Sequence, residues 1–359
     1  MMNMTPHTID RRSVHHPALL GIATAATGFM RQIAIKPFTP RHRSRELALH
    51  GEVESLHAVR SQVYKEKGAG NIPTIVIAGF VPNATEVVEF QRPLFKRYGS
   101  IYYLNYPAHG FDSRVFFAQL ADLIEDINRR GKRPVVFSIS FGCGLLTRFL
   151  REHLTGSDLQ LKGVVLASPV LCTEDLIRPD HLRSGGVRML ESNLKRILRV
   201  NRDAEDEMNR QIERARRCFQ SLFEAGAENR VLTHRHLSIR GRIMNVVGNT
   251  PAAGGYERVL ALKELLPPGD EAVFAGPTLA LLAEEEESIL VPSSPTLSAL
   301  RDPQLRTRLF PRIRVREVVS RRSSDAVSHA SLIFHHHCYN PLIAGWYDKL
   351  RDPALFAVV

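Results

Sequence analysis

A chain of 359 residues, 44% apolar and 24% charged, is long enough for one large domain with an insertion or for two ordinary domains, and it has a soluble globular composition. The formal charge of +11 comes from lysines and arginines scattered along the chain, with no zinc-finger or basic-zipper spacing. This pattern excludes a recognisable nucleic-acid motif and leaves loose attraction to anionic surfaces, a membrane surface among them. The four cysteines, Cys143, Cys172, Cys218 and Cys338, lie far apart without a CxxC pair, so neither a disulfide framework nor a zinc site is indicated, and a cytoplasmic location is expected.

Residues 1–50 are rich in Arg, His and Pro and read as a basic N-terminal extension. Within it, the apolar run 17–30 follows Arg11 and Arg12, as in a signal peptide, but it is too short to span a bilayer. It reads as a helix packed on the domain or touching a membrane surface, with export as the alternative. Residues 50–66 mix Val, Leu and Tyr with charges and suggest opening edge strands.

From residue 73 the pattern is regular. Thr74 to Ala78 is a continuous apolar strand ending at Gly79, and residues 84–98 carry helical spacing. Ile101 to Leu104 is the next strand, followed by the loop Asn105 to Gly110. Phe116, Leu120, Leu123 and Ile127 share one helix face that ends at Gly131. Strand 134–139 and its helix follow, then the buried strand Gly163 to Ala167, closed by Ser168-Pro169. Apolar strands alternating with amphipathic helices imply an α/β fold with a mostly parallel sheet covered on both faces.

The rhythm breaks near residue 172. Residues 173–272 hold charge-dense helical runs, such as Glu191 to Arg202 and Glu205 to Phe223, and read as a helical cap over the sheet's carboxyl edge. Its arginines, Arg183, Arg188, Arg196, Arg199, Arg214, Arg216 and Arg217 among them, read as a solvated face, with an acidic substrate as the alternative use. Strands resume at Thr278 to Ala283 and Arg312 to Val319, and a closing helix runs from Pro341 to Leu350. The core is therefore 51–172 plus 273–359.

The chemistry centres on Ser138-Ile139-Ser140-Phe141-Gly142, between a strand and a helix. A tight turn there projects Ser140 above the sheet, and the helix N-terminus favours developing negative charge. Ser138 and Gly142 are small enough to let strand and helix approach closely. A neutral serine also needs a base, a group to orient that base, and N–H donors for an oxyanion.

These residues resemble the G-x-S-x-G elbow of the α/β-hydrolase superfamily, with serine in place of the first glycine. The resemblance implies a serine hydrolase of the esterase, lipase or aminopeptidase type, acting on a small-molecule acyl substrate with no cofactor or metal. Serine at this position argues against the epoxide hydrolases and dehalogenases of that superfamily, which use aspartate there. Ala78-Gly79-Phe80 stands where the family carries His-Gly and an oxyanion residue, so the N–H groups of Phe80 and Phe141 are the implied donors. Asn105 to Ser113 resembles the family's D-x-x-G-x-G-x-S loop and is read as structural, with His109 a packing residue.

The family's triad acid follows a late strand, and Ala283 to Pro292 resembles its G-x-x-D-x-x-V-P segment, lengthened by two residues. Counting from the strand end selects Glu286; counting back from Ile289 and Pro292 selects Glu287, the preferred choice, with Asp175 a further substitute. The base past the last strand is His329, with His335, His336 and His337 as competitors read as a partly exposed helix face. Cys143 is read as a packed thiol beneath the elbow. Two other readings use the same residues: a non-catalytic binding module with a vestigial site, and an acyltransferase working through the same acyl-enzyme.

Overall fold

The computed structural model describes residues 33–53, 56–179, 188–227 and 232–352. The apolar run 17–30 and Arg183 lie outside the described residues. The principal described elements, in chain order, begin with strand β1 (Ile35–Pro37), helix α1 (Ser44–Ala48), β2 (Gln62–Glu66) and β3 (Thr74–Ile77), with one helical turn, Leu56–Val59, before β2. Next come α2 (Ala84–Val87), α3 (Arg92–Tyr98), β4 (Ile101–Asn105), α4 (Ser113–Asn128), β5 (Val135–Ile139), α5 (Phe141–Phe149) and β6 (Gly163–Ala167). Four helices precede the next strand: α6 (Met189–Ile197), α7 (Glu205–Ala227), α8 (His234–Asn249) and α9 (Ala252–Leu260). The chain then forms β7 (Thr278–Ala283), α10 (Pro295–Arg301), α11 (Pro303–Leu309), β8 (Ile313–Val318) and α12 (His336–Arg351).

The eight strands form one sheet in the order β1-β2-β4-β3-β5-β6-β7-β8, antiparallel at β1/β2 and β2/β4 and parallel elsewhere. Every residue of β3, β4, β5, β6 and β7 is buried, which is why these strands read as unbroken apolar runs. β8 is an edge strand whose half-exposed face carries Arg314 and Arg316; charges on an edge discourage pairing with another chain. The chain leaves β3 for β4 on one side and returns to β5 on the other. The β3/β5 pair is thus the point where strand order reverses, and the carboxyl ends beside it form a natural crevice.

The boundary expected at residue 50 is corrected. β1 pairs with β2, and α1 lies against α4, where Asp122 accepts from the backbone N–H of Glu46 at 3.0 Å. Glu46 is itself buried and ion-paired with Arg60. These contacts are polar, and β1 has only three residues ending in proline, so no hydrophobic period marks them. The closing helix also begins earlier than expected, at His336, with Pro341 inside it. Proline removes one N–H donor, and the apolar face of Tyr339, Ile343, Trp346 and Tyr347 holds the helix against the sheet regardless.

A buried ionic cluster ties β2 and β4 to α3. Arg92 donates to both carboxylate oxygens of Glu66 at 2.9 Å, Tyr103 donates to Glu66 at 2.8 Å, and Lys96 pairs with it at 3.0 Å. Burial works against the Glu66 carboxylate, but Arg92, Tyr103 and Lys96 together hold it down at about 2, from an ordinary value of 4.5. A carboxyl depressed in the folded state stabilises the fold above its unfolded value and loses that contribution as pH falls toward the folded one. Glu66→Gln is expected to cost on the order of 3 kcal/mol at pH 7, as for a broken buried pair. In denaturant titrations the gap between wild type and variant should narrow as pH drops from about 4.5 through about 2. A gap independent of pH would show that the charge of Glu66 contributes nothing.

Candidate active site

β5 ends at Ile139 and α5 starts at Phe141, leaving Ser140 as the single residue of the turn. Its φ of 49° and ψ of −121° lie outside the regions L-residues prefer. The turn is held from three sides: Ser140 N–H donates to Ala167 at 2.9 Å, while its carbonyl accepts from Cys143 at 2.9 Å and Val170 at 3.2 Å. Gly142 is required where it stands, because a Cβ there would sit 2.3 Å from the Ala78 carbonyl oxygen. Ser138, in place of the first glycine, fits because its hydroxyl donates to the Val165 carbonyl at 2.9 Å. Cys143 is fully buried under the turn, and burial pushes its thiol up to about 12, so it remains protonated and inert at neutral pH.

His329 Nε2 lies 2.9 Å from Ser140 Oγ, and His329 Nδ1 lies 2.5 Å from Glu286 Oε2. The His329 side chain is 7% exposed and that of Glu286 fully buried. The preference for Glu287 is therefore corrected. β7 stops at Ala283 and the next residues coil into a short turn, Glu286–Ser288. That turn points Glu286 inward, where the Ala283 N–H donates to its Oε1 at 2.7 Å. Glu287 falls on the outer side, half-exposed and paired with Arg301 at 2.9 Å.

The turn after β7 and the loop after β8 are laced together. Glu285 N–H donates to Val327 at 2.9 Å, and the Glu284 carboxylate accepts from the N–H groups of Ser320 and Val327 at 3.3 Å. Next to His329, Ala330 holds a φ of 54° and donates to Ser168 Oγ at 2.9 Å. Glu284 and Ser168 thus hold the loop that carries His329, contacts that reading the sequence missed. Their backbone partners lie 36 to 162 residues away along the chain, beyond any local pattern.

Asp175 is no substitute acid. Fully buried, it accepts from Ser294 Oγ at 2.5 Å, Thr296 Oγ1 at 2.6 Å and Leu171 N–H at 2.8 Å, pinning the loop after β6 to the start of α10. His335 is buried with Nδ1 2.8 Å from Ser331 Oγ, His336 stacks on Phe90 at 4.5 Å, and His337 is exposed; none of these contacts is with Ser140. His109 is exposed on its loop.

The end of β3 supplies the other wall. Gly79 passes so close that a Cβ there would lie 3.3 Å from Ser140 Cβ. The rings of Phe80 and Phe141 stack at 4.3 Å, 9° from parallel. Tyr106 donates to the Ala78 carbonyl at 2.7 Å and fixes the turn from below. From the cap, Arg258 donates to the Phe80 carbonyl at 3.0 Å. Arg258 is buried, and that burial pulls its guanidinium down to about 10. The charge is compensated by carbonyl dipoles and by the face of Tyr106, 5.5 Å away.

Helices α6, α7 and α8 lie over these residues. A cavity of about 180 Å³ opens above Ser140 and His329, walled by Leu194 of α6, Phe219 and Phe223 of α7 and Ile243 and Val247 of α8. Gly254 of α9 seats the cap on the core: a Cβ there would meet the Ala108 carbonyl oxygen at 1.9 Å. Of the described cap arginines, Arg196, Arg199, Arg214 and Arg217 are exposed. Arg188 bonds the carbonyls of Glu287 and Leu290, and Arg216 bonds that of Thr250 and pairs with Glu213.

No family model matches the sequence, and no curated protein matches it. Solved structures do match the fold. A thermophilic esterase from Thermogutta terrifontis superposes with a TM-score of 0.53 at 15% identity, covering 81% of this chain and 94% of its own. A membrane phospholipase A, a bacterial virulence factor, gives 0.52 at 15% identity over 94% of this chain and 97% of its own. A mutant of an epoxide hydrolase from Bacillus megaterium gives 0.54 at 13% identity over 80% and 98%. No described helix is long and apolar enough to cross a membrane. The sheet order, the strand-turn-helix at Ser140 and these superpositions together show that the chain has the α/β-hydrolase fold.

Proposed function

We propose that the protein is a serine hydrolase that cleaves a carboxylic ester or related acyl bond through Ser140, His329 and Glu286. The observation that carries the reading is the unbroken contact chain from Ser140 Oγ through His329 to Glu286, at 2.9 and 2.5 Å, under an apolar cavity. Glu286, fully buried and held by the Ala283 N–H, keeps the proton on Nδ1 and leaves Nε2 free to accept. His329 takes the Ser140 proton as Oγ bonds to the carbonyl carbon. The carbonyl electron pair moves onto oxygen, where the N–H groups of Phe80 and Phe141 stabilise it. The pair returns as the C–O bond to the leaving group breaks, and His329 protonates the departing oxygen. Water then attacks the acyl-enzyme with His329 as base, releasing the acid and restoring Ser140.

A fluorophosphonate probe tests this directly. Folded wild-type protein is expected to acquire one label, on Ser140, and His329→Ala should slow labelling by about 10³-fold or more. Absence of label across several phosphonate and acyl probes would overturn the hydrolase reading in favour of a binding module.

A further inference from the structure

Three cavities meet near Ser140, and they differ in chemistry. The first, described above, contains both Ser140 and His329. A second, of about 70 Å³, lies deeper in the cap and is walled by Ile197, Ile212, Ala215 and Val259. The two share six wall residues: Phe80, Val81, Leu190, Leu194, Phe219 and Val247. The two therefore adjoin each other. The third is wide, open and polar, with Thr233, His236, Glu285, Ser288 and Arg322 on its walls.

The mechanism assigns a direction to these spaces. The leaving group must lie on the His329 side, because His329 protonates it. The third cavity contains His329 and not Phe80; the second contains Phe80 and not His329. The acyl chain therefore points away from the polar mouth, past the waist at Phe80, Leu194 and Phe219, toward the deep chamber. Its polar wall residues are Asn193, Arg216, Thr250 and Arg258; Arg216 bonds the Thr250 carbonyl, and Arg258 bonds the Phe80 and Pro107 carbonyls through its terminal nitrogens, its Nε being buried without a partner among the described residues. The rest of the wall, from Phe80, Val81, Leu190, Leu194, Ile197, Ile212 and their apolar neighbours, is hydrocarbon surface.

From this we infer that the substrate is an ester of a long, unbranched fatty acyl chain, with its hydrocarbon in both apolar chambers and its polar leaving group in the mouth. The inference rests on the proposed hydrolase reading and narrows it to a substrate class. Each methylene added up to the length that fills the chambers should raise kcat/KM about fourfold, the transfer free energy of a buried CH₂.

The test is a series of p-nitrophenyl esters from acetyl to hexadecanoyl, run on wild type, Ala215→Leu and Gly255→Leu. Both substituted residues line the deep chamber alone, and a Cβ at Gly255 meets Ile212 at an ordinary 3.4 Å. Wild type is expected to prefer octanoyl or longer chains over acetyl by about 10²-fold or more. In each variant the ratio of dodecanoyl to butyryl kcat/KM should fall by about tenfold or more. A wild-type optimum at acetyl or butyryl, or variants that fold and keep the wild-type ratio, would overturn the inference while leaving the hydrolase reading intact. A parallel measurement covers a protein that hydrolyses none of the esters. Ser140→Ala is titrated with a fluorescent dodecanoate; binding blocked in either cap variant supports the chamber, and no binding removes it.

Discussion

Ser140→Ala is expected to reduce kcat for a matched p-nitrophenyl ester by about 10⁴- to 10⁶-fold. In the proposed mechanism the hydroxyl forms the acyl-enzyme, and alanine leaves His329 without a proton to take. The fold should be undisturbed, because Ser140 Oγ bonds His329 and the turn is held by backbone bonds to Ala167, Cys143 and Val170. Removing the hydroxyl leaves the φ of 49° in place, and alanine bears the same backbone strain as serine. Thermal unfolding of the variant should therefore match wild type, and fluorophosphonate labelling should vanish. Labelling that persists at full stoichiometry in Ser140→Ala would place the nucleophile elsewhere.

The second large effect separates two adjacent glutamates. Glu286→Gln should lower kcat by about 10³- to 10⁴-fold, because an amide facing Nδ1 no longer stabilises the imidazolium and can impose the wrong tautomer. Glu287→Gln should stay within about twofold of wild type, since it loses only a half-exposed pair with Arg301, worth less than about 1 kcal/mol. Steady-state kinetics on one ester decides between them. Equal losses in both variants, or a larger loss in Glu287→Gln, would reject Glu286 as the group that orients His329.

The two glutamates also mark where reading the sequence stopped. β7 was legible as Thr278 to Ala283, and a following acid was legible as one of four consecutive glutamates. Which one turns inward depends on the pitch of a three-residue helical turn, Glu286–Ser288, and on the Ala283 N–H that closes it. Counting along the chain from either end of that segment spans a change of backbone conformation, so the two counts disagreed. Ser138 was another such point. As a substitute for glycine it read only as small enough to fit; in the structure its hydroxyl also bonds Val165 across to β6.

The N-terminal edge was illegible for a different reason. β1 and α1 join the core through backbone pairing, through Asp122 and Arg60, and through the isolated apolar contacts of Ile35 and Phe38, which form no periodic stripe. Hydrophobic periodicity reports only surfaces that are buried by being apolar. The cap posed the same difficulty. Its helices were visible as runs, but the cavity they enclose arises where residues from α6, α7 and α8 meet Phe80 and Val81.

What the chain determined by itself is everything encoded within one element and its flanks: buried strands as apolar runs, the helices between them, and a serine in a small-residue turn after the third strong strand. Those features depend on neighbours a few residues apart, where period and steric size are readable. Only the tertiary structure decided which glutamate faces His329, what holds the Phe80 carbonyl, and which way an acyl chain runs from Ser140. Each of these depends on contacts between segments brought together by the sheet: Glu286 with His329, Arg258 with Phe80, and the cap with the end of β3. Such contacts have no period in the sequence, and they exist only once the parallel strands have set their carboxyl ends side by side.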